Sequence, residues 1–191
     1  AIRRRAVPTW GVFLDEENQG GGPLIDIGTH ALDLTLWEMN NYEPAMVVGT
    51  TFRKLADTEN AANAWGPWDP KKFTVEDSAF GFVRMKNGAT VYLEASWALN
   101  QRGGSILQLG GTKGGLEMHP LTLFSERNGV LVDSTPRVPA NNMFAEEVRH
   151  FADCVQRRRE PIASASQGVL LMKMLEGVYA SQRARKEVRI R

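Results

Sequence analysis

The chain has 191 residues, of which 42% are hydrophobic and 24% charged, and its formal net charge is +1. Those totals suit a folded domain with a sizeable core, and they exclude a nucleic-acid or membrane-surface binder driven by charge. No apolar run reaches the roughly 18 residues that a bilayer span requires, and the charged start AIRRRAVPTW has no signal-peptide core.

The spacing predicts a strand over residues 2–7, then a loop, PTWGVFLDEENQGGG, punctuated by Pro8 and three glycines. Pro23 suits the first position of a helix. From there Leu24, Ile27, Ala31, Leu34 and Trp37 recur at helical spacing, and Asn40–Asn41 should stop it. AMVVGTTFRKL reads as a strand, and residues 55–72 as a long loop containing AWGPWDP. TVEDSAFGFVRM and ATVYLEASWAL flank KNG, a hairpin with the Asn87–Gly88 pair favoured by tight primed turns. SILQLGG, GLEMH, LTLFSE and GVLVDST add strands between Gly and Pro signals. GGTKGG, residues 110–115, is a turn between strands and not a P-loop, because no Ser or Thr follows Lys113. NMFAEEVRHFADCVQRRRE is a helix with Phe144, Val148, Phe151 and Val155 on one stripe. SASQGVLLMKMLEGVYASQRAR is a second, capped at Ser164 or Ser166, and EVRI closes as a short strand.

This order predicts an α+β fold: an open, mostly antiparallel sheet with helices packed on one face, residues 1–191 forming a single domain. Phe80, Phe82, Val91, Leu93, Ala95 and Trp97 alternate with neighbours that also carry apolar groups, so both sheet faces need cover. Helices supply one cover, and a second copy of the chain is the expected other. The first residue is Ala1 and the first segment reads as a strand already under way, so a preceding part is expected. The single cysteine, Cys154, excludes an internal disulfide and fits a reducing, cytoplasmic compartment.

Asp26 and His30, four apart after Gly20, Gly21 and Gly22, are the candidate chemistry. On a helix that step is about 6 Å along the axis, so the two could touch or hold one ligand group. Asp26 lies in the first turn, where the helix dipole favours its charge. A carboxylate beside an imidazole fixes the ring's tautomer, as a general base requires. The glycines leave room for a ligand or another segment. The same spacing is also common as a capping or surface pair. Asp33 shares the region as a hydroxyl binder or a structural hydrogen-bonder. His119 and His150 lack zinc-type spacing, so no metal is expected.

GGGPLIDIGTHALDLTLW resembles the signature of the C-terminal domain of the glucose-fructose oxidoreductase / inositol dehydrogenase / MocA family. FTVEDSAFGFVRMKNGATVYLEASWAL resembles its central hairpin, LGGTKGGLEM its Gly-rich turn, and FAEEVRHFADCVQRRREPIASASQGVLLMKMLEGVYASQRARKEVRI its closing helices and strand. The resemblance implies a two-domain enzyme using NAD or NADP on sugars or cyclic polyols. His30 would exchange a proton with the substrate hydroxyl, and Asp26 would orient His30 or hold a neighbouring hydroxyl. It also implies an N-terminal dinucleotide-binding domain carrying a Gly-rich loop and a lysine in a Glu-Lys-Pro motif. Neither G-x-G-x-x-G nor Glu-Lys-Pro occurs here, so the cofactor-binding residues are unknown and this chain alone should not turn over substrate. A family sheet of this kind commonly makes subunit contacts, so a homo-oligomer is expected.

Arg3 and Arg5 share a face if residues 2–7 are extended, and could bind hydroxyls, acids or the cofactor's phosphates. Otherwise they are solvated edge residues. Trp10 could stack on a sugar or cap the core. Trp65 and Trp68 sit on a long loop that serves as a lid or an oligomer contact. The rival reading is a non-catalytic sugar-binding or oligomerisation scaffold on the same fold. No motif reads nucleic acid, which argues against a transcriptional module.

Overall fold

The computed structural model describes residues 1–190. A short helix α1 (Glu16–Gln19) precedes a π-helical turn (Leu24–Gly28) that runs directly into α2 (Thr29–Glu38). Strands β1 (Pro44–Phe52), β2 (Ser78–Met85) and β3 (Thr90–Ser96) follow, then β4 (Gln108–Gly111), β5 (Gly114–Glu117), β6 (Thr122–Arg127) and β7 (Val130–Ser134). Helices α3 (Met143–Arg157) and α4 (Ala165–Ala184) and a two-residue strand β8 (Val188–Arg189) complete the order. The fold is α+β with open antiparallel sheets, as the sequence predicts. The strands divide between two four-stranded sheets, ordered β3-β2-β1-β8 and β4-β5-β6-β7. The chain forms two compact units, one of residues 1–107 and 170–191, the other of residues 108–169.

In the first unit, α4 and the segment 24–36 cover one face of the sheet. Leu24, Leu32 and Leu36 meet Val47, Ala79, Val83, Met85, Val91 and Leu93, with Leu171, Met174, Leu175 and Val178 from α4. The buried positions of the first helix are Leu24, Gly28, Leu32 and Leu36, not the predicted stripe; Leu34 is only half-buried and Trp37 is exposed. The cause is the π-helical turn: its wider i→i+5 bonding turns the residues after it relative to an ideal α-helix. The first strand is also irregular. Residues 2–7 touch the sheet only through isolated bridges at Ile2 and Arg5, with a bend at Arg4.

The register of β2 and β3 pairs Phe82 with Tyr92 and Val83 with Val91. Phe80 and Phe82 therefore share a face with Tyr92, and Val91, Leu93 and Ala95 lie on the opposite, helix-covered face. The sequence grouping had mixed the two. The uncovered face carries Val48, Phe52, Phe82 and Tyr92, all exposed. The hairpin loop is Lys86–Gly88, with Asn87 right-handed and only Gly88 left-handed (φ 91°), a three-residue loop in place of a primed turn.

A second cluster lies where residues 5–14 meet the long loop. Val7, Ala56, Trp68, Phe73, Val75, Trp97 and Ala98 are buried there. Asp77 fixes this loop: its Oδ2 accepts the N–H groups of Lys54 (2.6 Å), Leu55 (2.6 Å) and Ala56 (3.0 Å). Trp68 Nε1–H donates to the Ala56 carbonyl at 2.9 Å. The loop is thus held from inside, which a freely moving lid would not be.

In the second unit, β4 and β5 join through Thr112–Lys113, so GGTKGG is the expected interstrand turn. Helix α3 starts at Asn142, whose side chain accepts the Ala145 N–H. Its Phe144, Val148, Phe151 and Val155 are exposed, whereas Cys154 is buried beside His150. Arg157 and Arg159 pair with Asp153, which accounts for two of the three consecutive arginines.

Candidate active site

The three glycines are explained by protein atoms. Gly20 is left-handed (φ 84°) and ends α1, its N–H donating to the Glu16 carbonyl. A Cβ at Gly21 would stand 2.2 Å from Tyr179 Oη, and one at Gly22 would stand 2.2 Å from the Glu76 carbonyl oxygen. The space expected for a ligand is occupied by α4 and by Val75 and Glu76, which precede β2.

Glu76 holds the start of the site helix. Its buried carboxylate accepts Gly22 N–H at 2.8 Å, Leu24 N–H at 3.1 Å and the Tyr179 hydroxyl at 3.0 Å. The first amides of a helix lack internal acceptors, and here a carboxylate more than fifty residues away supplies them. Burial pushes the Glu76 carboxyl above its usual range, partly offset by these bonds. Burial, with the Glu76 charge next, also pushes the Tyr179 hydroxyl far up, so it remains a donor. A carboxyl raised on folding contributes stability that is full below its unfolded pKa and is lost as pH rises through the folded one. Glu76→Gln removes that contribution and turns an amide donor toward a backbone N–H, destabilising by about 1–3 kcal/mol. The expected melting-temperature gap between wild type and Glu76→Gln is full below pH 4.5, the ordinary value for the group, and narrows as pH rises toward neutrality.

Asp26 lies within the π-helical turn, a geometry that recurs at functional sites. Its Oδ2 accepts Trp97 Nε1–H at 2.9 Å and lies 3.6 Å from Arg3 Nη1. Among the described residues, Oδ1 accepts no hydrogen bond. Trp97 is fully buried, so the carboxylate is fixed by a rigid donor while its own side chain stays 21% accessible. His30, four residues on, is exposed. It forms no hydrogen bond or ion pair with Asp26 or any other described residue, so both ring nitrogens are open to an incoming group.

Arg3 also stands over the Trp65 ring, with Cζ 5.4 Å from the ring centroid. Trp65 meets Trp10 edge-on at 5.0 Å. Arg3 therefore links the Asp26 carboxylate to the Trp65–Trp10 pair. Arg5 lies apart: the bend at Arg4 breaks the shared face, and its guanidinium donates to Asn100 Oδ1 at 2.7 Å. Asp33 accepts the Tyr42 hydroxyl at 3.2 Å. Sequence spacing missed Trp97 and Glu76 as members of this constellation, and offered Trp65 only as part of a lid or an oligomer contact. The adjacent acids of TVEDS, lying in a segment otherwise read as strand, were the available signal for Glu76.

Against known proteins, residues 2–117 match the profile described as the GFO/IDH/MocA C-terminal domain. The chain belongs to the GFO/IDH/MocA family. Over 95% of its length, this domain is 36% identical to D-glucoside 3-dehydrogenase of Escherichia coli (strain K12), covering 52% of that protein. It is 30% identical to a putative UDP-kanosamine synthase oxidoreductase subunit of Amycolatopsis mediterranei (strain S699), covering 94% of this chain and 55% of that one. The domain thus spans about half the length of the curated relatives it matches. Its fold is shared with levoglucosan dehydrogenase in complex with NADH and L-sorbose, at a TM-score of 0.79, 16% identity, 99% of this chain and 57% of that one.

Proposed function

We propose that this GFO/IDH/MocA domain is the substrate-binding and catalytic half of an NAD(P)-dependent oxidoreductase acting on a sugar or cyclic polyol. The observation that carries the reading is the Asp26 carboxylate, held through one oxygen by Trp97, with its other oxygen open and His30 exposed four residues on. His30 takes the hydroxyl proton as the carbinol is oxidised and returns it in the reverse direction. Asp26 Oδ1 accepts from a neighbouring hydroxyl or from the His30 ring. Arg3, beside Asp26, and Trp10, packed on Trp65, are assigned to substrate contact, whereas Arg5 and Asp33 are engaged by Asn100 and Tyr42. The relatives' names support a sugar as substrate.

Among the described residues every sheet pairing is antiparallel, and no Gly-rich turn joins a strand to a helix. Among the described residues there is thus no strand-to-helix turn of the kind that cradles a dinucleotide pyrophosphate. The NAD or NADP that supplies the hydride acceptor is therefore assigned to a separate N-terminal domain, and residues 1–191 to substrate binding and assembly. The exposed face bearing Val48, Phe52, Phe82 and Tyr92 supports a homo-oligomer formed through the open sheet.

The test is a screen of the full-length protein for reduction of NAD and NADP across pyranosides and inositols. Turnover of at least one ring polyol is expected. Sugar binding without any turnover would favour the scaffold reading instead.

A further inference from the structure

Trp10 and Trp65 differ from the aromatic residues of the second cluster that they adjoin. Phe73, Trp68 and Trp97 are buried in the second cluster, but Trp10 is 52% and Trp65 43% exposed. Neither is loosely held. Ala64 N–H donates to the Arg5 carbonyl at 3.0 Å, and the Trp65 carbonyl accepts the Thr9 hydroxyl at 2.9 Å. Asn63 exchanges hydrogen bonds with Val7 in both directions and donates to Gly66. Residues 63–66 are thereby zipped onto residues 5–9, so the two indoles form a fixed wall. One guanidinium, that of Arg3, spans from the Trp65 ring to the Asp26 carboxylate.

We propose that Trp65, backed by Trp10, is a stacking subsite that selects pyranose rings for the Asp26–His30 site. A pyranose presents a face of C–H groups, weakly positive, which suits the electron-rich indole. Its hydroxyls project from the rim, and against this wall they meet the donors of Arg3 and the acceptor of Asp26. An open-chain polyol has no such rigid apolar face. The subsite rests on the catalytic reading above and deepens it by assigning ring shape, rather than hydroxyl count, as the feature recognised.

The experiment is calorimetric binding of methyl β-D-glucopyranoside to the full-length protein and its Trp65→Phe and Trp65→Leu variants. The aromatic replacement should bind within about threefold of wild type, and leucine about tenfold more weakly. With glucoside as substrate, the leucine variant should raise KM by a similar factor and leave kcat nearly unchanged. In wild type, the sugar's ring C–H protons should also shift upfield on binding, a readout independent of any variant. Leucine binding as well as tryptophan, or no upfield shift on binding, overturns the subsite. Those outcomes leave the catalytic reading intact, which fails separately if His30→Ala keeps normal turnover. Absence of pyranoside binding by wild type overturns both.

Discussion

Full-length protein carrying His30→Ala is expected to lose roughly a hundred- to ten-thousandfold in kcat for its sugar substrate, the range of a positioned general base. KM should move far less, because the imidazole is one substrate contact among several. The structure makes the substitution clean: His30 is exposed and bonds no described residue, so its removal leaves no buried donor or acceptor unpaired. The melting temperature should therefore stay within about a degree or two of wild type, a surface-like change. Asp26→Asn keeps an acceptor for Trp97 Nε1–H but drops the negative charge, so it should lower turnover less than His30→Ala. Steady-state kinetics with melting curves on the same preparations check both. Normal turnover by His30→Ala would show that the imidazole is not the base.

Gly22→Ala is the second large effect, and it falls on stability. The new Cβ would lie 2.2 Å from the Glu76 carbonyl oxygen and 3.1 Å from the Glu76 Cδ. The first clash is with backbone, so no side-chain rotation relieves it. The chain must part from the segment at Glu76, and the bonds from Gly22 and Leu24 to the Glu76 carboxylate are lost with it. Overpacking and unpaired buried groups together predict a loss of about 3 kcal/mol or more. That corresponds to a fall of roughly 6–12 °C in melting temperature for a chain of this size. Gly20→Ala is the control: it has open space around it and only a left-handed backbone to strain, so about 1 kcal/mol is expected. Thermal denaturation of the three proteins side by side decides the matter, and equal losses at Gly20 and Gly22 would contradict the packing described.

The element types were legible because they are local. Pro23, the apolar spacing after it, the strand alternation around KNG and the cap at Ser164 each act within a few residues. The helix stripe was misplaced because apolar periodicity assumes a uniform turn, and the residues 24–28 wind more widely. The pairing of Arg3 with Arg5 failed for the same reason in extended form: a bend at Arg4 ends the two-residue alternation. Asp26 and His30 could be singled out from spacing. The groups that orient them could not, since Trp97 and Glu76 reach this helix only through tertiary folding.

Glu76 and Asp77 are consecutive, yet they grip different things: one the amides that begin the site helix, the other three amides of the loop that leads to Trp65. One dipeptide works as a yoke on both segments. Neither can drift without dragging its counterpart, so the spacing between the site helix and the base of the Trp65 loop is set by the frame and not by the loop tip. Side chains at residues 58–66 can therefore be exchanged while the backbone that carries Asp26 and His30 keeps its place.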